Sequence, residues 1–391
     1  MYSGKFSIGV AEVAELVARA RNLIGRIRAV VYGMIMRLNM QYQGDKIGYF
    51  CSMVPVEIIT AAGLKPVRVK GRAEMTAAAD AYLYTNMCPY IKSLFTDALE
   101  GGDTAFDGLV FARSCDGMRR LYDAWKAYIP SKFTYMLEAP KNVDDLAVAY
   151  YASQLRDFAV HMGKASGSEV TGPALAEAVR ATNKTKGMMR DLYSLQKRSP
   201  LPVSGSELFS LGLQILYGDD NDTAVRMSSI YKKAAEPGGP GREKKKIRIM
   251  ISGNVMDRPG LFEIIEGAGA EVPVADLCTA SRYFERMVDE EAHDIYGALA
   301  AAYLGEPRCS RTATPAEIYA RLSKMVKEYT IDGVLLTSLK YCDQQLNDIP
   351  YLVNNFTAAG MPVLFVENDY LFNDSGRLRT RVEAFIEMLE S

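Results

Sequence analysis

The chain has 391 residues, with 46 Lys+Arg against 47 Asp+Glu and a formal net charge of -1. At about 150 residues per domain, this length accommodates two or three domains, each able to bury a core. A content of 49% hydrophobic and 24% charged residues excludes a disordered tail, and the even charge balance excludes an overall nucleic-acid footprint.

Val10, Val13, Leu16, Val17, Ala20, Leu23, Ile24, Ile27, Val31, Met34, Ile35 and Leu38 recur at three- and four-residue steps. This spacing predicts a long amphipathic helix in an N-terminal segment, residues 1–45. The longest apolar stretch, residues 29–36, lies between Arg28 and Arg37. It falls far short of the roughly 18 residues needed to span a bilayer, so no membrane association is expected. The first residues lack the pattern of a secretory leader, which points to the cytoplasm. In that reducing compartment the 6 Cys are expected as free thiols, metal ligands or catalytic groups rather than disulfides.

Residues 46–160 read as a first α/β domain, with strands at 66–69, 81–84, 108–111 and 133–137 between helical patterns. Such alternation is the signature of βαβ units and a parallel sheet. Residues 161–236 continue a helical region, with periodic stretches at 146–161 and 174–195 framing its start. Pro237-Gly238-Gly239-Pro240-Gly241 then opens a linker, residues 237–246. Residues 247–391 form a second α/β domain, with strands at 247–251, 272–274, 333–336 and 362–366.

The two α/β regions echo each other. Glu57-Ile58-Ile59 recurs as Glu263-Ile264-Ile265, Asp107-Gly108 as Asp332-Gly333, and Cys115-Asp116 as Cys342-Asp343, in the same order. The fold class expected is therefore α/β with two parallel-sheet domains related as a duplication, after an N-terminal long helix and with a helical insert.

Only His161 and His293 are present, too few for a His-rich zinc site, and neither stands in a catalytic-triad motif. No C-x-x-C pair occurs, which argues against a zinc ribbon, a thioredoxin motif or a ferredoxin run. Cys51, Cys88 and Cys115 precede the linker, and Cys278, Cys309 and Cys342 follow it. Cys115 and Cys342 come just after predicted strands, and parallel sheets bind ligands at those carboxyl ends. Cys88 precedes a predicted helix, whose free N–H groups favour a thiolate. The residues themselves leave two readings open, a shared metal site or small buried hydrophobes.

Gly267-Ala268-Gly269 lacks the third glycine of a dinucleotide fingerprint, and no phosphate-loop motif occurs. Gly253 reads as a strand-to-helix turn or an anion-binding one. Glu57, two residues after Pro55, reads by default as a favourable charge in a helix's first turn, Asp116 and Asp343 as helix caps, and Trp125 as a packing residue.

Several segments carry a family resemblance: Gly48-Tyr49-Phe50-Cys51-Ser52-Met53-Val54-Pro55-Val56-Glu57, Cys88-Pro89, Ser114-Cys115-Asp116, Leu201-Pro202-Val203-Ser204-Gly205-Ser206-Glu207, Tyr341-Cys342-Asp343 and the closing residues 376–387. In this order, from about residue 46 to 389, the chain resembles the 2-hydroxyacyl-CoA dehydratase family. That family includes benzoyl-CoA reductase cluster subunits and double-cubane cluster proteins. The resemblance implies two Rossmann- or flavodoxin-like domains with a 4Fe-4S cluster between them, held by Cys88, Cys115 and Cys342, with one iron open to substrate. It also implies an acyl-CoA thioester substrate and single-electron, ketyl-radical chemistry. The implied partners are a homologous second subunit or a second copy, and an actin-like-fold ATPase activator carrying its own 4Fe-4S cluster.

Within the same resemblance, Glu57 becomes a candidate to move protons near the cluster, and Arg113 and Arg119 become candidates for a CoA phosphate. Cys51, Cys278 and Cys309 roughly match the extra ligands of a double-cubane 8Fe cluster, which implies a small-molecule reductase as the alternative. A third alternative is a non-catalytic partner whose thiols only pack. Dehydration and ring reduction both stay open at this point.

Overall fold

The structure, a computed structural model, describes residues 45–72, 76–101, 106–218, 220–235, 246–371 and 375–391. The N-terminal helix and nearly all of the 237–246 linker expected from the sequence lie outside these residues.

Strands β1 (Lys46–Tyr49), β2 (Lys65–Arg68), β3 (Gly108–Ala112) and β4 (Thr134–Leu137) form one sheet in the order β2-β1-β3-β4, parallel throughout. Strands β5 (Ile249–Gly253), β6 (Ala275–Asp276), β7 (Gly333–Leu339) and β8 (Val363–Asn368) form a second, in the order β6-β5-β7-β8, again parallel. The same order in both halves is the duplication that the sequence pattern predicts.

Around the first sheet run α1 (Val56–Ala61), α2 (Ala77–Asp80), α3 (Pro89–Leu99), α4 (Asp116–Tyr128) and α5 (Asp145–Ser166). The central helices are α6 (Gly172–Leu195), α7 (Gly205–Tyr217) and α8 (Asp220–Ala235). The second half adds α9 (Gly260–Gly267), α10 (Ser281–Phe284), α11 (Ile295–Leu304), α12 (Pro315–Glu328), α13 (Asp343–Ala358) and α14 (Ser375–Glu390). The repeated Glu-Ile-Ile triplets fall on α1 and α9, the helices that follow the first strand of each sheet.

Local chemistry sets the helix limits. Asp144 caps α5 by accepting from the Ala147 amide at 2.8 Å, and Gly167 ends that helix with φ 76°. Thr314 and Glu317 form a reciprocal capping box on α12, with Pro315 in the first turn.

The sheets differ from the sequence expectations at three places. β1 is an added strand, beyond those expected from the sequence. Residues 81–84 are no strand: the Leu83 amide donates to Ala79 at 2.8 Å in a helical turn, and Tyr82 and Tyr84 are 47% and 73% exposed. Apolar character there is not matched by a neighbouring strand. Residues 272–274 do not join the ladder, which keeps a bridge at Arg248 and Glu271 and resumes at β6. Pro273 has no amide to donate, and the ladder breaks around it.

One face of the first sheet packs on α1, α5 and α11, so Leu299, Ala300, Tyr303 and Leu304 from the second half complete the first core. The other face packs on α3 and α4, where Trp125 sits among Phe50, Phe95 and Phe111 as expected. Residues of α6, α7, α8, α12 and α13 cover one face of the second sheet, and α9 and α14 help cover the other. Among the described residues no helix is long and apolar enough to cross a membrane.

Gly253 pairs in register with Thr337, and a Cβ on it would stand 2.4 Å from the Thr337 carbonyl oxygen. Close approach of β5 and β7 therefore requires glycine there, and the anion-turn reading is unnecessary. Gly253→Ala is expected to lower stability by about 1–3 kcal/mol through overpacking. A leftward shift of the urea midpoint at constant slope checks this; an unchanged midpoint contradicts the packing argument.

Candidate functional site

Three cysteines from both halves occupy one kind of position. Cys88 is the N-cap residue of α3, Cys115 of α4 and Cys342 of α13. All three are partly buried and pack against the same apolar cluster, together with Met87, Val255 and Leu371. Asp116 and Asp343, expected as caps, stand one residue later in the first turn, because the thiols take the cap position.

A helix N-terminus leaves its first amides without intrahelical partners. Cys115 Sγ accepts from the Met118 amide at 3.3 Å. The Tyr90 and Ile91 amides at Cys88, and the Gln345 amide at Cys342, act electrostatically in the same direction without forming a full cap bond. Burial outweighs them: it pushes Cys115 up to about 11 and carries Cys88 well above the ordinary thiol value. Cys342 is raised by burial as well, and its charge adds to the rise at both other thiols. Burial thus favours the protonated thiol at all three positions.

The loops are tied across the cleft. Gln344 Nε2 donates to the Ser114 carbonyl at 3.0 Å, joining the Cys342 and Cys115 loops. Arg311 Nη2 donates to the Ala139 carbonyl at 2.7 Å; within the first half, the Tyr90 hydroxyl donates to the Phe50 carbonyl at 3.1 Å beside Cys51. Asn254, just after β5, lowers the pKa of Cys342, yet its Nδ2 has no formed hydrogen bond. Neither Gln344 nor Asn254 stands out in the sequence, where a lone amide carries no motif.

Cys51, Cys278 and Cys309 form the neighbouring group. Burial raises Cys278 to about 11, with Arg68 and Arg282 opposing and the Cys51 and Cys309 charges adding. Cys51 also acts on Cys115, and Cys309 on Cys342, so the six thiols share one electrostatic neighbourhood. Arg68, at the end of β2, places Nη2 3.8 Å from Cys278 Sγ and Nη1 2.9 Å from Ser52 Oγ. Ser52 Oγ in turn donates to the Cys278 carbonyl at 2.7 Å, and Arg286 donates to the Ser52 carbonyl at 2.8 Å. Among the described residues no three His, Cys, Asp or Glu side chains are grouped to hold a single metal ion.

Glu57 is fully buried, accepting from Lys186 Nζ at 3.3 Å and from the Tyr303 hydroxyl at 2.7 Å. It does stand in the first turn of α1, but its carboxylate is enclosed with a lysine rather than spread over the helix end. Burial lowers the Lys186 pKa and Glu57 opposes the drop. Glu57 and Cys51 both act on Tyr151, whose hydroxyl donates to the Met53 carbonyl at 2.6 Å. The carboxylate thus lies behind the Cys51 loop. His161, half-buried, packs on Phe133 and Tyr135, and burial lowers its pKa.

A cavity of about 430 Å³ opens beside Cys115, with Arg113, Arg119, Lys141 and Arg311 among its lining residues. Arg113 is paired there with Glu138 at 2.9 Å.

Two outcomes follow from the buried charges. Lys186→Met strands the Glu57 carboxylate and is expected to cost about 3–5 kcal/mol, most of it recovered in the Glu57→Gln/Lys186→Met double variant. Urea denaturation of the set checks it; equal losses in single and double variants would contradict an ion-pair origin. Near β6, burial raises Asp276 but Arg282 and Arg321 more than reverse it, holding that carboxyl well below the usual range. Glu285 is pushed up to about 7, by burial first and then by Asp276. Its folded-state pKa exceeds the unfolded one, so this contribution to stability is present at acid pH and is lost as pH rises through about 7. Glu285→Gln is therefore expected to gain on the order of 2 kcal/mol over the parent at about pH 8, with the gain shrinking toward pH 5.

The family described as 2-hydroxyglutaryl-CoA dehydratase, D-component, matches residues 51–389. The chain is 27% identical over 370 residues to "Putative dehydratase subunit YjiM" of Escherichia coli (strain K12), covering 91% of this chain and 95% of that protein. It is 24% identical over 356 residues to the (R)-phenyllactyl-CoA dehydratase beta subunit of Clostridium sporogenes, with 90% and 94% covered. A benzoyl-CoA reductase subunit of Thauera aromatica is 25% identical over 329 residues, with 81% and 84% covered. The matched span takes in all six cysteines and most of both sheets, and the chain belongs to the 2-hydroxyglutaryl-CoA dehydratase D-component family.

Proposed function

We propose that this chain is the iron–sulfur subunit of an activator-dependent enzyme acting on an acyl-CoA thioester, by 2-hydroxyacyl dehydration or benzoyl-CoA-type reduction. The observation that carries the reading is the convergence of three N-cap thiols, two from the first half and one from the second, on one apolar cluster. The donor set fits a 4Fe-4S cluster, because Cys88, Cys115 and Cys342 offer thiol sulfur, the donor such clusters take. The unpartnered Nδ2 of Asn254 supplies a hydrogen-bond donor of the kind that tunes cluster sulfur.

When bound, such a cluster supplies low-potential single electrons and an open iron to the thioester carbonyl. The chain's own residues do the rest. Arg113, Arg119, Lys141 and Arg311 present cations beside Cys115, where CoA phosphates can be held. Gln344 and Arg311 hold the lobes together around that cavity. Glu57, enclosed with Lys186 and Tyr303, fixes the base of the Cys51 loop and is a proton-holding group in this reading. Relatives named as beta subunits support a homologous partner subunit, and an actin-like-fold ATPase with its own 4Fe-4S cluster is the proposed electron donor.

A second reading, a double-cubane 8Fe reductase of small molecules, is favoured by one feature. Cys51, Cys278 and Cys309 lie in the electrostatic reach of each other or of the first three thiols, giving six sulfurs in one neighbourhood.

Anaerobic purification with iron and sulfide quantitation tests both. About four irons per chain is the result expected for the first reading, and about eight for the second. Cys115→Ser is expected to remove iron and the broad visible absorbance in either case. An iron-free chain in the complex with its partner would overturn the proposal and leave a packing subunit.

A further inference from the structure

A second cavity, of about 460 Å³, lies away from Cys115, at the carboxyl end of β2. Arg68, Lys70, Gln214, Tyr217, Arg226 and Asp257 line it. Its groups come from β2 and the segment after it, from α7 and α8, and from the loop after β5, so both halves of the chain build it.

Its chemistry is distinctive in what is left unpaired. Arg68 is 3% exposed and uses Nη1 and Nη2 on Ser52 and Cys278, while its Nε has no partner. Asp257 is 7% exposed; Tyr370 donates its hydroxyl to Oδ2, and Oδ1 has no partner. The Gly71 amide donates to that same tyrosine oxygen at 3.3 Å, which fixes Tyr370 and with it the Asp257 carboxylate. Gln214 Oε1 and the Tyr217 hydroxyl, which stands beside Asp257, are two further buried atoms without a formed hydrogen bond. A buried donor or acceptor left unmatched is costly and rare, and four around one cavity call for a ligand that matches them.

The charges say what kind. Arg68, Lys70 and Arg226 face one carboxylate, Asp257, with Arg72 at the rim engaged with Asp97 at 3.6 Å. Lys70 Nζ is held 4.5 Å over the Tyr217 ring, a position that restricts where its charge points. The surplus of positive charge suits an oxyanion, and the two acceptors without a formed hydrogen bond, Asp257 Oδ1 and Gln214 Oε1, suit donors on the same ligand. Inorganic phosphate answers the first demand alone. A hydroxyl-bearing phosphate ester answers both.

We infer that this cavity is a binding site for a small phosphate monoester carrying hydroxyl groups, with Arg68 and Arg226 on the phosphate and Asp257 and Gln214 on the hydroxyls. The site is separate from the cavity beside Cys115. Arg68 also contacts Cys278, so the occupant sits one side chain away from the second group of thiols.

Calorimetric titration of the full chain with glycerol 3-phosphate and, separately, inorganic phosphate, at fixed ionic strength, tests the inference. The expected result is saturable binding of both, with the ester at least tenfold tighter. Lys70→Gln/Arg226→Gln, changes confined to the cavity rim, is expected to weaken both ligands at least tenfold with an unchanged circular dichroism spectrum. Asp257→Asn is expected to erase the preference for the ester while phosphate still binds, which also shows that the variant is folded. Absence of saturable binding, or a preference for the ester that survives in Asp257→Asn, overturns it. Because the readout is binding rather than iron content or turnover, its failure is distinguishable from failure of the iron–sulfur reading.

Discussion

Parallel strands cannot be joined by hairpins, so each must end in a loop that leads into a crossover, usually a helix. In this chain that constraint operates twice, in two sheets of the same strand order, and the loops at the carboxyl ends of both meet. Cys115 follows β3 and Cys342 follows β7, the equivalent strands of the two sheets, and each then caps the next helix. A thiol placed there is within reach of unpaired amides and of the opposite lobe. The arrangement explains how residues more than two hundred positions apart can serve one site without any local motif.

The price of such a site is buried charge, and the surroundings of the thiols show how it is offset. Burial raises the thiols and makes their anions unfavourable. Arg68 and Arg282 pull Cys278 the other way, and Arg282 is itself matched by Asp276 with Arg321 on the same carboxylate. Glu57 and Lys186 repeat the principle behind Cys51, where each charge is tolerable because the other is present. The unpartnered atoms Asn254 Nδ2, Arg68 Nε and Asp257 Oδ1 mark where this compensation is incomplete.

The two lobes are not independent packing units. Residues of α11, from the second half of the sequence, fill the core of the first sheet, and Leu339 and Tyr370 join the cluster under α3 and α4. Gln344 to Ser114 and Arg286 to Ser52 add hydrogen bonds across the same boundary. Cross-lobe cores of this kind hold the cleft at a defined width, which a site built from both walls requires.

Much of this was legible in the residues alone. The strands at 108–111 and 333–336, the long helices α5 and α6, the internal repeat and the family were all readable, because burial on both faces leaves continuous apolar runs and helices leave a periodic one. That Cys115 and Cys342 follow strands was readable too, whereas the strand expected before Cys88 is not one. What the pattern could not show was which apolar run has a neighbour to pair with: residues 81–84 have none, and Pro273 interrupts its own ladder. Nor could it show that Asp116 and Asp343 yield the cap position to cysteine, or that Glu57 meets Lys186, or that Arg68 reaches Cys278. Sequence carries local periodicity and residue type, and these determine elements; contacts between distant side chains exist only once the sheets are stacked, so the charges around the thiols were decided by tertiary structure alone.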